Sequence, residues 1–137
     1  MKVMILLIMI SLLPIPVFAK DLRDLEVQAD YVPPPALIYP IGGEVSLGGK
    51  SVLQFKWSPH EGAGGGRDYY DFRLYKGYQM VESALFLKEK LAGDMYQYNI
   101  SSDRFRENEV YTWALRQIYN PLRKSGWRYI SFRVIKK

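Results

Sequence analysis

The chain has 137 residues, 48% of them hydrophobic, 15% aromatic and 24% charged, with 19 basic and 14 acidic side chains for a formal net charge of +5. That length holds one ordinary domain, and the hydrophobic fraction excludes a disordered chain. Zero cysteines and one histidine exclude disulfide frameworks, thiolate zinc sites, thioether haem attachment, cysteine nucleophiles and His pairs within one chain.

Residues 1–19 carry one basic residue, Lys2, and an apolar run over 3–13 broken only by Ser11. Pro14 and Pro16 then end any helix, and Val17 and Ala19 are small residues placed for a cut. This is the layout of a secretory signal peptide cleaved after Ala19. The alternative is a transmembrane anchor, but that needs about 20 apolar residues, and this run is shorter and proline-broken. With no cysteine beside the cut, a lipid-anchored form is excluded. The expected product is secreted or periplasmic and not an integral membrane protein after cleavage. Export without disulfides points to a bacterial envelope. Asn99-Ile100-Ser101 is a glycosylation sequon, which carries little weight in such a source.

Residues 20–35 are polar and end in Pro33-Pro34-Pro35; they read as a linker with a stiff end. An edge strand or short helix lying on the domain is the alternative. From residue 36 onward, short apolar runs are separated by turn signals, which predicts strands. A first edge strand is expected at 37–39 before Pro40, and a short one at 44–47 between Gly42-Gly43 and Gly48-Gly49. In 51–57, Leu53, Phe55 and Trp57 alternate with Gln54 and Lys56. In 68–75, Tyr70, Phe72 and Leu74 alternate with Tyr69, Asp71, Arg73 and Tyr75. In 95–100, Tyr96, Tyr98 and Ile100 alternate with Gln97 and Asn99. In 110–119, Tyr111, Trp113 and Leu115 alternate with Thr112, Ala114 and Arg116. In 127–135, Ile130, Phe132 and Val134 alternate with Trp127, Tyr129, Ser131 and Arg133. Period-two alternation buries one face of each strand and wets the other. About seven such strands predict an all-β antiparallel sandwich. The segment 81–91 reads as a strand with Leu85, Leu87 and Leu91 on one face, in a hairpin with the strand from Met95; a helix capped at Gly93 is the alternative.

These residues resemble the fibronectin type III, or immunoglobulin-like, domain over 36–137. Phe55-Lys56-Trp57-Ser58-Pro59 is similar to that family's second strand, with its buried tryptophan and proline turn. Tyr70-Asp71-Phe72-Arg73-Leu74 is similar to its third. Phe105 and Tyr111 resemble the pair that opens its sixth strand, where a tyrosine corner bonds its hydroxyl to backbone upstream. The turn at 106–109, Arg-Glu-Asn-Glu, departs from the usual proline–glycine. The resemblance implies a fold and a habit of binding, not an activity.

Chemistry is sparse. Residues 44–51 end like a phosphate loop, but Glu44 stands where glycine is required and a strand follows where a helix is needed. His60 has no Gly-x-Ser-x-Gly partner and reads as a loop residue. Asp68 and Asp71, three apart on a strand, point to opposite faces. No catalytic residue, metal ligand or cofactor is expected. The outward face of the third, sixth and seventh strands (C, F and G in that family's lettering) is richer: Tyr69, Arg73, Tyr75, Arg116, Ile118, Trp127, Tyr129 and Arg133. Tyr, Trp and Arg are the types enriched at binding hot spots. Residues 100–137 hold nine basic and three acidic side chains, whereas 20–99 hold nine and eleven. The expected function is therefore an exported, non-enzymatic binding or structural module that contacts another envelope protein through this face. A glycan- or anionic-polymer-binding module is the alternative; nucleic acid is disfavoured by export.

Overall fold

Among the described residues nine strands form, the longer ones where the two-residue alternation runs: β1 (Ala36–Tyr39), β2 (Glu44–Ser46), β3 (Val52–Ser58), β4 (Tyr69–Lys76), β5 (Leu85–Ala92), β6 (Gln97–Ser101), β7 (Val110–Asn120), β8 (Arg123–Lys124) and β9 (Arg128–Ile135). The computed structural model describes residues 32–60, 66–120 and 122–137. The signal peptide expected at 1–19 and most of the expected linker lie outside these described residues. The end of the linker does not: Val32 is fully buried, and the Pro33 carbonyl accepts a hydrogen bond from Gln117 Nε2.

Two sheets pack face to face. One has the order β1-β3-β6; the other runs β2-β9-β7-β4-β5, with β8 pairing with β7. All pairings are antiparallel except β2 with β9, which is parallel. The inward rows meet in an aromatic core. Phe55 stands edge-on to Phe72 at 5.3 Å and to Trp113 at 5.1 Å, and Trp57 stands edge-on to Tyr70 at 5.3 Å. Such offset geometries suit the ring quadrupole and add about 0.5–1.5 kcal/mol per pair beyond area burial. Trp113, buried, donates from Nε1 to the Pro40 carbonyl at 2.8 Å, which ties β7 to the end of β1.

The segment 81–91 resolves into a single 3-10 turn at Glu82–Ala84 followed by β5. The expected hairpin between this strand and the one after Met95 does not form. β5 pairs with β4, and β6 pairs with β3 in the other sheet. Gly93 is where the chain crosses over. A Cβ there would collide with the Arg67 backbone, and Arg67 Nε donates to the Gly93 carbonyl. Glycine thus serves close backbone approach here, not helix capping.

Tyr111 makes the corner its resemblance implies. Its hydroxyl accepts from the Arg106 amide at 3.0 Å, and its ring stands edge-on to Phe105 at 5.0 Å. In the turn between them, Asn108 takes φ +65°, a left-handed conformation that asparagine tolerates.

Candidate functional site

The centre of the larger sheet presents the outward rows of β4 and β7. Cross-strand pairing sets Asp71 between Lys90 and Arg116, and Arg73 between Lys88 and Ala114. Ala114 in turn faces Tyr129 on β9. A small side chain in that row leaves room for a second layer above the sheet.

Trp127 belongs to that layer because of how the β7–β9 connection is pinned. β8 stays zipped to β7, and buried Ser125 continues the zipper. The Ser125 amide donates to the Gln117 carbonyl at 2.8 Å. The Ser125 hydroxyl accepts from the Gln117 amide at 2.9 Å and donates to the Gly126 carbonyl at 2.7 Å. Trp127 follows directly. The guanidinium carbons of Arg116 and Arg73 lie 4.4 and 4.8 Å from its ring centre. Each contact is a cation–π pair worth about 0.5–2 kcal/mol, depending on desolvation.

Asp71 is the carboxylate of this cluster. Its Oδ2 accepts from Arg116 Nη2 at 3.0 Å and from Nε at 3.2 Å. Arg73 Nε is 3.6 Å from Oδ1, too far for a hydrogen bond, and is buried without an acceptor. A hydrogen bond with Tyr75, reinforced by the Asp71 charge, holds Arg73 above its ordinary range despite burial. On the β5 side, the Lys90 ammonium lies 4.3 Å from the Tyr69 ring centre. Tyr69, Asp71, Arg73, Lys88, Glu89, Lys90 and Arg116 line an open recess of about 480 Å³.

The seven residues singled out from sequence fall into three groups. Arg73, Arg116 and Trp127 come together, with Tyr69 in the adjoining row. Tyr129 is exposed and borders a separate shallow recess with Leu37, Ile41 and Arg128. Tyr75 reaches the cluster through Arg73 but is buried, so it offers no surface of its own, and Arg133 lies away from the cluster. Arg133 pairs with Val110 and Glu44, six positions along β7 from Arg116, and its Nη1 donates to the Asn108 carbonyl at 2.6 Å. It therefore holds the turn at the far end of the sheet.

Sequence reasoning missed Asp71 as an arginine partner, and missed Lys88 and Lys90. The signal for the lysines was present: with Leu85, Leu87 and Leu91 on one face of a strand, Lys88 and Lys90 take the other. Among the described residues, no three His, Asp or Glu side chains gather to hold a metal ion, and no helix is long and apolar enough to cross a membrane.

The fold is that of a fibronectin type III-like β-sandwich. A computationally redesigned β-sandwich protein matches with a TM-score of 0.55 at 11% identity, over 77% of this chain and 96% of that one. The FN1–FN3 domains of chicken CNTN1 match with a TM-score of 0.52 at 13% identity, over 77% of this chain. This chain spans about a third of that structure, 34% of its length. No family model and no curated protein matches the chain. At these identities the likeness is one of fold.

Proposed function

We propose that the chain is an exported, non-enzymatic binding module that contacts an acidic surface of another envelope protein through the outward face of β4, β5 and β7. Export rests on the composition of residues 1–19. The observation that carries the binding reading is the Arg73–Trp127–Arg116 cluster beside Lys88 and Lys90. The outward rows of β4, β5 and β7 bring four cations together with one carboxylate, Asp71, while Glu89 borders the same recess from the inward row of β5. Fixed arginines over an indole give desolvated contact area and preorganised donors for carboxylates. The same cluster supports the glycan alternative less well, because the Trp127 ring is already engaged by guanidinium groups and is not a bare platform for a sugar.

The test is retention of the purified protein on native envelope material, wild type against Trp127→Ala, with folding checked by circular dichroism. Wild type should be retained and should elute as salt approaches ~1 M, where screening reaches about 3 Å. Trp127→Ala should lose at least tenfold in retention. Equal retention of the variant, or indifference to salt, contradicts the reading.

A further inference from the structure

We propose that β5 accepts an added strand from the partner: an extended acidic segment in which Asp or Glu alternates with apolar residues. This rests on the binding reading above and names the chemistry of the partner segment.

The first observation is a free edge. Among the described residues β5 ends the order of the larger sheet and pairs only with β4. Among the described residues, no backbone hydrogen bond joins 86–91 to any element but β4. Alternate N–H and C=O groups of this strand therefore face away from the sheet, available to a new ladder. At eight residues β5 is also the longest edge: β2 has three, β1 four and β6 five.

The second observation is the charge on that edge. Lys88 and Lys90 are exposed on the outward face, and neither makes an ion pair among the described residues. Behind them in the same rows stand Arg73 and Arg116. A side chain on an added strand lies about 4.5–5.5 Å, Cβ to Cβ, from the one it opposes. Acidic residues opposite Lys88 and Lys90 would meet both ammonium groups. The alternate residues would fall on the other face, opposite Leu87, Glu89 and Leu91, where apolar side chains meet the two leucines and a threonine suits Glu89.

Register arithmetic argues against a second copy of this chain as the occupant. Antiparallel pairing of two β5 edges, sheet face matched to sheet face, centres the pair on a residue. Centring on Glu89 opposes Lys88 with Lys90 and Glu89 with itself. Centring on Lys88 opposes that lysine with its own copy, and these two registers pair the most residues of β5, seven each; centring on Leu87 or Leu91 opposes no like charges but pairs only 85–89 or 90–92. Like charges directly opposed destabilise a ladder, whereas an acidic strand relieves them.

The experiment uses a blocked nine-residue peptide alternating glutamate with valine or threonine, added to the whole protein. Amide hydrogen exchange along β5 and the anisotropy of the labelled peptide are read together. Exchange should slow at least tenfold at alternate amides within 86–91. Lys88→Glu with Lys90→Glu should weaken binding at least tenfold, and Lys88→Gln with Lys90→Gln, a milder change, should weaken it less. A peptide N-methylated at alternate residues should not bind, because it cannot complete the ladder. Unchanged β5 exchange at millimolar peptide, equal binding of the N-methylated peptide, or protection along β6 instead would overturn the proposal. If Trp127→Ala abolishes envelope retention while β5 exchange stays unchanged, the strand addition fails and the binding reading stands. If β5 is protected but retention ignores both salt and Trp127→Ala, the binding reading fails instead.

Discussion

Arg116 and Asp71 face each other across β7 and β4, joined by two hydrogen bonds onto one carboxylate oxygen, while the same guanidinium lies against Trp127. Asp71 thus separates two arginines that would otherwise repel beneath one indole. Asp71→Asn should lower stability by about 1–3 kcal/mol, the usual range for hydrogen bonds to charged groups, with solvent screening at the partly exposed arginine favouring the lower end. Added salt should recover part of the loss by screening Arg73 from Arg116. Urea unfolding at low and high salt checks this; a variant as stable as wild type would count against it.

Trp57 and Trp113 fill the core from opposite sheets. Trp57→Ala should cost about 3–5 kcal/mol, a large share of the ~5–15 kcal/mol typical of a domain. The thermal midpoint should fall sharply. An unchanged midpoint would place the ring outside the core.

Burial is the main cause that raises the hydroxyl pKa of Tyr70, Tyr98 and Tyr111 above the ordinary 10.0. Between 10.0 and those raised values the unfolded chain loses protons that the folded chain keeps, so stability falls as pH rises. The contribution is fully present below pH 10.0 and is lost as pH climbs through the folded values. Urea unfolding between about pH 9 and 11 should show this decline, and Tyr111→Phe should flatten it. A decline as steep in the variant would exclude Tyr111 as a contributor.

Gly93 abuts the backbone of Arg67 and Asp68, whereas Gly126 faces open space. Gly93→Ala should destabilise by about 1–3 kcal/mol through overpacking, and Gly126→Ala should change stability by less than about 0.5 kcal/mol, as surface substitutions do. Equal effects at the two sites, read from thermal unfolding, would contradict the close approach.

The strands were legible because alternation is a local signal: Leu53, Phe55 and Trp57 announce a buried row without knowledge of any partner strand. The tyrosine corner was legible only through the family resemblance that Phe105 and Tyr111 carry. Pairing was harder. Nothing near Gly93 says that the chain leaves one sheet for the other, so β5 and β6 read as a hairpin. The candidate site was legible by face but not by row. Arg133 shares its outward face with Tyr129, yet the distance along β9 carries it to the Asn108 turn. Asp71 could be placed on a face, but its bond to Arg116 depends on the register of β4 against β7, which no local pattern encodes.

The central claim is that the face bearing Lys88 and Lys90 contacts the partner. Lysine acylation footprinting, with and without native envelope material, tests it most directly. Lys56 on β3 of the opposite sheet and Lys137 at the end of the chain serve as references, since both are exposed. The account predicts that Lys88 and Lys90 become protected on binding while Lys56 and Lys137 react as before. Protection of Lys56 with Lys88 and Lys90 unchanged would contradict it.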